Sequence, residues 1–122
     1  MLEVALVFDK EGKTIHWHVP PGRSSGYIPD TRSLWEVLWE NRDRIGGVAH
    51  THPWNGEAWP SQTDVTTFRA VELGLGRQLL WPVVTFTEMR GFVFNPVTGD
   101  YVQAGPLTIE LEGLEELRAR SR

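Results

Sequence analysis

Between residues 48 and 64 a strand has to stop and a helix has to start, and few chain paths allow both. Val48-Ala49-His50 reads as a short strand that follows Gly46-Gly47, and Pro53 ends it because proline cannot continue a ladder. Gly46 and Gly47 are read here as stopping the preceding helix and keeping the approach to the strand narrow and flexible. Seven residues after Pro53, Ser61 with Asp64 three positions on has the pattern of a helix N-cap. Residues two apart on a strand point to one side, so His50 and His52 offer two imidazoles from the same edge. Asp64, one turn into the helix, can reach back toward them as a third ligand. Two histidines and one carboxylate form a catalytic zinc set that leaves a fourth position for water, whose pKa the metal lowers to about 7. Such a water needs a base and the carbonyl it attacks needs an oxyanion donor. Ser61, at a helix N-terminus beside the ligands, suits the donor; the base has to come from elsewhere.

Plainer readings exist for each piece. Ser61-x-x-Asp64 also fits a helix cap worth about 1 kcal/mol with no metal involved, and the two readings are compatible. His50 and His52 as ordinary buried residues would each need a separate hydrogen-bond partner.

The 122 residues suit one domain spanning 1–122, and 40% hydrophobic content is enough for a core. A net charge of −4 with no Lys/Arg run shows no nucleic-acid footprint. The absence of cysteine excludes disulfides and thiolate zinc sites. No apolar run approaches the ~20 residues of a membrane span, and Met1-Leu2-Glu3-Val4 lacks a signal-peptide n-region. A cytoplasmic protein with no membrane partner is the expectation.

Along the chain, residues 3–8 read as a buried strand and 14–19 as its hairpin partner across the turn 9–13. A helix is expected over 33–44 with Ser33 and Glu36 as its capping box, and a second over about 61–73, ended by Gly74 and Gly76. Strands are expected over 79–86, 91–95 and 100–103, with Glu88-Met89-Arg90 as a turn. The tail, 107–122, holds a short strand over 107–111 and a solvated helix or loose end from Leu114. The fold class is α/β, a mixed sheet flanked by helices.

The order His50-Thr51-His52-Pro53, seven residues, Ser61-Gln62-Thr63-Asp64 resembles the signature of the JAMM (MPN-plus) zinc metalloproteases, and the order of elements over roughly residues 3–103 is similar to that family's core. The resemblance implies a cytidine-deaminase-like α/β fold, one zinc on His50, His52 and Asp64, and hydrolysis of amide bonds. The best-known members cut isopeptide bonds to ubiquitin, and bacterial and archaeal relatives act on ubiquitin-like or sulfur-carrier proteins. The family pattern also calls for an upstream glutamate as general acid and base, near the start of the first core strand. Glu3 matches that place. The helix that usually precedes the strand has no counterpart before Glu3, so the residue is expected at an end prone to fraying. Glu57, in the loop between ligands, is the alternative that could swing in; Glu11, Glu36 and Glu40 have turn or helix-surface positions. A zinc-binding domain of the same fold that serves assembly with little or no catalysis is the competing function.

His16-Trp17-His18 is a second His-x-His, but with no spaced carboxylate or proline it reads as the polar face of a strand. Trp35 and Trp39 are expected to pack from one helix face, and Trp54 and Trp59, between the ligands, either wall a substrate cleft or cover the core. Nucleobase deaminases, which need a cysteine pair as ligands, are closed off.

Overall fold

The computed structural model describes residues 1–107 and 109–122. Period-two alternation builds a sheet with two apolar faces. The strands are β1 (Ala5–Asp9), β2 (Thr14–His18), β3 (Ile45–Thr51), β4 (Trp81–Val84), β5 (Met89–Asn95) and β6 (Asp100–Gln103), in the order β2-β1-β3-β4-β5-β6. The neighbours run antiparallel except β3 and β4, which run parallel and are joined through a helix. A mixed α/β architecture is therefore established.

On one face lie Ala5, Val7, Val48, Trp81 and Val83, packed with Leu34 and Leu38 of α1 (Arg32–Glu40) and Phe68, Val71 and Leu75 of α2 (Gln62–Leu75). On the other lie Val4, Leu6, Phe8, Ala49 and Val84, covered by Leu111 and by Leu117 of α3 (Leu114–Ser121). Both faces being buried explains why β1 and β3 read as near-continuous apolar runs rather than as clean alternation. No helix among the described residues is long and apolar enough to cross a membrane.

Several local expectations change. The cap of α1 is Thr31, whose hydroxyl accepts from the Leu34 amide at 3.1 Å, while Glu36 pairs with Arg32 at 3.0 Å. Ser33 and Glu36 thus form no capping box, because the helix starts before Ser33. Asn41 ends α1 by donating its side-chain amide to the Val37 carbonyl at 2.8 Å. Gly46 and Gly47 are not helix stops but strand residues. A Cβ on Gly47 would lie 1.8 Å from the Leu80 carbonyl oxygen, and one on Gly46 would lie 2.4 Å from that of Asp9. They are glycines because neighbouring backbone closes on β3 from both sides. Gly74 lies inside α2, and Gly76 alone forms its left-handed C-cap at φ 68°. Met89 and Arg90 belong to β5 rather than to a turn.

The segment 109–111 carries no strand, and the expected strand over 107–111 includes Thr108, which lies outside the described residues. The tail is not loose. Leu117 and Ser121 are fully buried, and Arg118 donates to the Thr85 carbonyl at 2.9 Å.

Candidate metal centre

β3 delivers His50 and, one residue past its end, His52; its parallel partner continues the ladder through the His52 amide, which donates to the Val84 carbonyl at 2.9 Å. This is the carboxyl end of a parallel strand pair, where open α/β sheets place their ligands. α2 starts nearby because Ser61 and Asp64 cap each other. The Asp64 amide donates to Ser61 Oγ at 3.1 Å and the Ser61 amide donates to Asp64 Oδ2 at 2.8 Å. The plain cap and the ligand reading hold together, since the cap fixes the rotamer of Asp64.

The same Oδ2 lies 3.1 Å from His50 Nε2 and 2.9 Å from His52 Nε2, and the two Nε2 atoms are 3.1 Å apart. Protons cannot serve all three edges. Two imidazole nitrogens can share one proton, and if both instead donate to the carboxylate, two N–H groups face each other. A cation at the centre meets all three. Tetrahedral ligands about 2.0–2.1 Å from a zinc ion stand roughly 3.3 Å apart, so the observed triangle is near the size required. The donor set, neutral nitrogen plus carboxylate, suits zinc chemically, and the group can hold a metal ion. His50 and His52 are 6% and 4% exposed. Burial alone would push the Asp64 carboxyl up, but hydrogen bonds from both histidines, the charge of His50 and the Ser61 amide outweigh it and hold the group well below the usual carboxylate range. His52 Nδ1 is buried without a hydrogen-bond partner among the described residues. The His52 tautomer is consequently not set from that side, and the ring rests on Trp54 at 4.5 Å between centroids.

Glu3 corrects the expectation of a frayed end. The residue is buried, 4% exposed. The pairing Ala5↔His50 of β1 and β3, continued two residues, sets Glu3 beside His52. Hydrogen bonds from several parts of the chain hold this segment. The Glu3 amide donates to the Ser24 carbonyl at 2.9 Å, Arg23 donates to the Glu3 carbonyl at 3.2 Å, the Leu2 amide donates to the Ser121 carbonyl at 3.2 Å, and the Val4 amide donates to Thr51 Oγ1 at 2.9 Å. Thr51 and Ser121 share a buried hydroxyl pair at 2.6 Å. Thr51, Ser121, Ser24 and Arg23 were not singled out from the sequence; the signal available was Thr51 itself, a polar residue facing an apolar layer opposite its two histidine neighbours. Burial pushes the Glu3 carboxyl up to about 7, with His52 pulling it down and Asp64 pushing it further up.

Glu57, Glu11 and Glu36 have partners elsewhere. Glu57 accepts from the Trp59 indole at 3.0 Å on the surface, and Glu11 pairs with Lys13. Ser61 spends an oxygen lone pair on the cap, which leaves its proton free to donate. Glu3, His50, Ser61 and Asp64 all line one cavity of about 490 Å³. Trp54 and Trp59 do not line it; Trp59 lies against Phe92 and beneath Arg90. Trp39 is exposed under Arg42, whereas Trp35 does line the cavity. His18, expected on the polar face, is buried with Nε2 2.7 Å from the Pro29 carbonyl; burial lowers its pKa.

Comparison of the chain with protein-family models and with curated proteins returns no match.

Proposed function

We propose that this chain is a zinc-dependent amide hydrolase of the JAMM type, acting on a peptide or on a ubiquitin-like or sulfur-carrier protein conjugate. The observation that carries the reading is the triangle of His50 Nε2, His52 Nε2 and Asp64 Oδ2, with edges of 2.9 to 3.1 Å and the buried Glu3 beside it. His50, His52 and Asp64 would hold zinc, which when bound supplies Lewis acidity toward a water molecule and an amide carbonyl.

The remaining work falls to the chain. Glu3, whose carboxyl pKa is raised by burial in the metal-free fold and would be lowered again by a bound cation, is suited both to take a proton from the attacking water and to return one to the leaving nitrogen. The Ser61 hydroxyl donates to the carbonyl oxygen as negative charge develops there, aided by the N-terminus of α2. The walls of the cavity shield both transfers from bulk water.

The test has two stages. Metal analysis of the purified protein should find one zinc per chain, and the Asp64→Ala variant should lose it; zinc in neither would sink the proposal. Hydrolysis of peptide and isopeptide substrates should then vanish in His50→Ala and in Glu3→Gln. Zinc bound at full occupancy with no hydrolysis of either bond type would favour an assembly module instead.

A further inference from the structure

We propose that the substrate carries a bulky apolar side chain, aromatic or long aliphatic, next to the scissile amide, and that this side chain enters the cavity between α1, α2 and the sheet. The inference rests on the hydrolase reading above and names the substrate class for the same site. The cavity, at about 490 Å³, falls within the range of roughly 300–1,000 Å³ typical of small-molecule sites. Its wall is divided by chemistry. Glu3, His50, Ser61 and Asp64 gather where the reacting amide would lie, Leu34, Leu38, Val48, Val71 and Trp81 belong to the apolar part of the wall, and Tyr27, Thr63 and Thr67 add hydroxyls.

Small and large groups share the wall. The sheet side carries the short Ala5 and Val48 beside Trp81, and the helices add Leu34 and Val71 beside the aromatic Trp35 and Phe68. Protein interiors rarely leave voids larger than a water molecule, so apolar space of this size continuous with a polar site is suited to a guest. The roof is the segment before α1, with Ile28 and Asp30, fixed by the contact of buried His18 with the Pro29 carbonyl.

Charge narrows the guest. Among the described residues no Lys or Arg lines the cavity, and the ionisable groups that do are Glu3, Tyr27, Asp30, Asp64, His18 and His50. A carboxylate or phosphate side chain that passes the metal into the cavity would meet the Asp30 carboxylate and no Lys or Arg among the described residues. Between these charged groups the wall is mainly Leu34, Leu38, Val48, Phe68, Val71 and Trp81, which favours an apolar guest over a polar neutral one wherever the guest does not reach Tyr27, Thr63 or Thr67. A substrate with glycine on both sides of the bond would leave the space unfilled.

The test uses the zinc-loaded full chain and two small chelating amide mimics, the hydroxamates of N-acetylphenylalanine and N-acetylglycine, with affinities read by calorimetry. The phenylalanine compound should bind at least tenfold tighter. Val71→Phe, which fills the cavity from α2, should bring that ratio close to one; Leu34→Phe does the same from α1 if Val71→Phe does not fold by circular dichroism. Equal affinities in the unaltered protein, or a ratio that survives in the filled variant, overturn the cavity proposal while leaving the metal centre intact. Failure of both compounds to bind the zinc-loaded chain overturns the hydrolase reading, and this inference with it.

Discussion

Glu3 turns the candidate site into a measurable pH dependence. In the metal-free fold its carboxyl is raised from 4.5 to about 7, chiefly by burial. An acid raised in the fold binds its proton more tightly there than in the unfolded chain. As pH climbs from 4.5 toward 7 the unfolded chain gives up the proton first, so the folded state loses stability across that window and has lost its full share above it. The upper bound is about 3 kcal/mol, from 1.36 kcal/mol for each pH unit of difference. The effective dielectric of a protein interior, about 20 rather than about 4, softens the cost of the buried charge and trims this to about 1.5 kcal/mol. Glu3→Gln removes the ionisation. In urea denaturation with a chelator present, the unaltered protein should therefore lose about 1–2 kcal/mol more than Glu3→Gln between pH 5 and pH 8. Asp64 does not confuse the comparison: its folded value is depressed, so the stability it contributes is present above its ordinary value of 3.8 and is lost only as pH falls below it. Zinc should flatten the slope, because a cation beside Glu3 favours its ionised form. Parallel pH profiles for the two proteins would refute the assignment of Glu3 as a buried carboxyl at the site.

Other substitutions probe the frame. Gly47→Ala drives a Cβ to 1.8 Å from the Leu80 carbonyl oxygen, a backbone atom that cannot swing aside, so a loss on the order of 3 kcal/mol in urea denaturation is expected, with zinc affinity falling as His50 shifts. Thr51→Val keeps the shape but leaves the Val4 amide and the Ser121 hydroxyl without their partner, costing about 2 kcal/mol, with amide exchange accelerated at residues 2–4. Asp64→Ala should lose about 1 kcal/mol with its helix cap. It should also abolish the zinc-dependent rise in stability, which for the unaltered chain is about 2.7 kcal/mol at a free zinc concentration 100 times Kd.

What could be read from the sequence was local. His50, His52, Ser61 and Asp64 fall within fifteen residues, and the alternation of a strand with the spacing of a helix cap is enough to bring them together, as the structure does. The order of strands and helices followed from periodicity for the same reason. The errors came where a distant part of the chain decides the outcome. Gly46 and Gly47 look like helix breakers until Asp9 and Leu80 are seen closing on them. Residues 114–121 look solvated because five of the eight are charged or polar, yet Leu117 is fully buried and, with Leu111, covers one face of the sheet. Thr31 displaced Ser33 as the cap of α1, since both have the chemistry and only tertiary packing sets where the helix begins. Glu3 appeared free because its anchors, Ser24 and Ser121, are separated from it by loops and helices.

That last anchor couples the two faces of the sheet. Strand alternation sends His50 and His52 toward α1 and α2, and it sends Thr51, between them, toward α3. Thr51 holds the Val4 amide and the Ser121 hydroxyl on its side, while its own amide donates to the Val4 carbonyl at 3.0 Å. The segment carrying Glu3 is thus registered against the histidine strand by contacts made on the face away from the chemistry. A substitution in α3 that never approaches the cavity, such as one that withdraws Ser121, should loosen Glu3 before it disturbs Asp64, because Asp64 is fixed independently by its own helix cap. Ligand geometry and the position of the proton-transfer group therefore rest on separate parts of the fold, and the capacity to hold zinc should outlast activity when α3 is weakened.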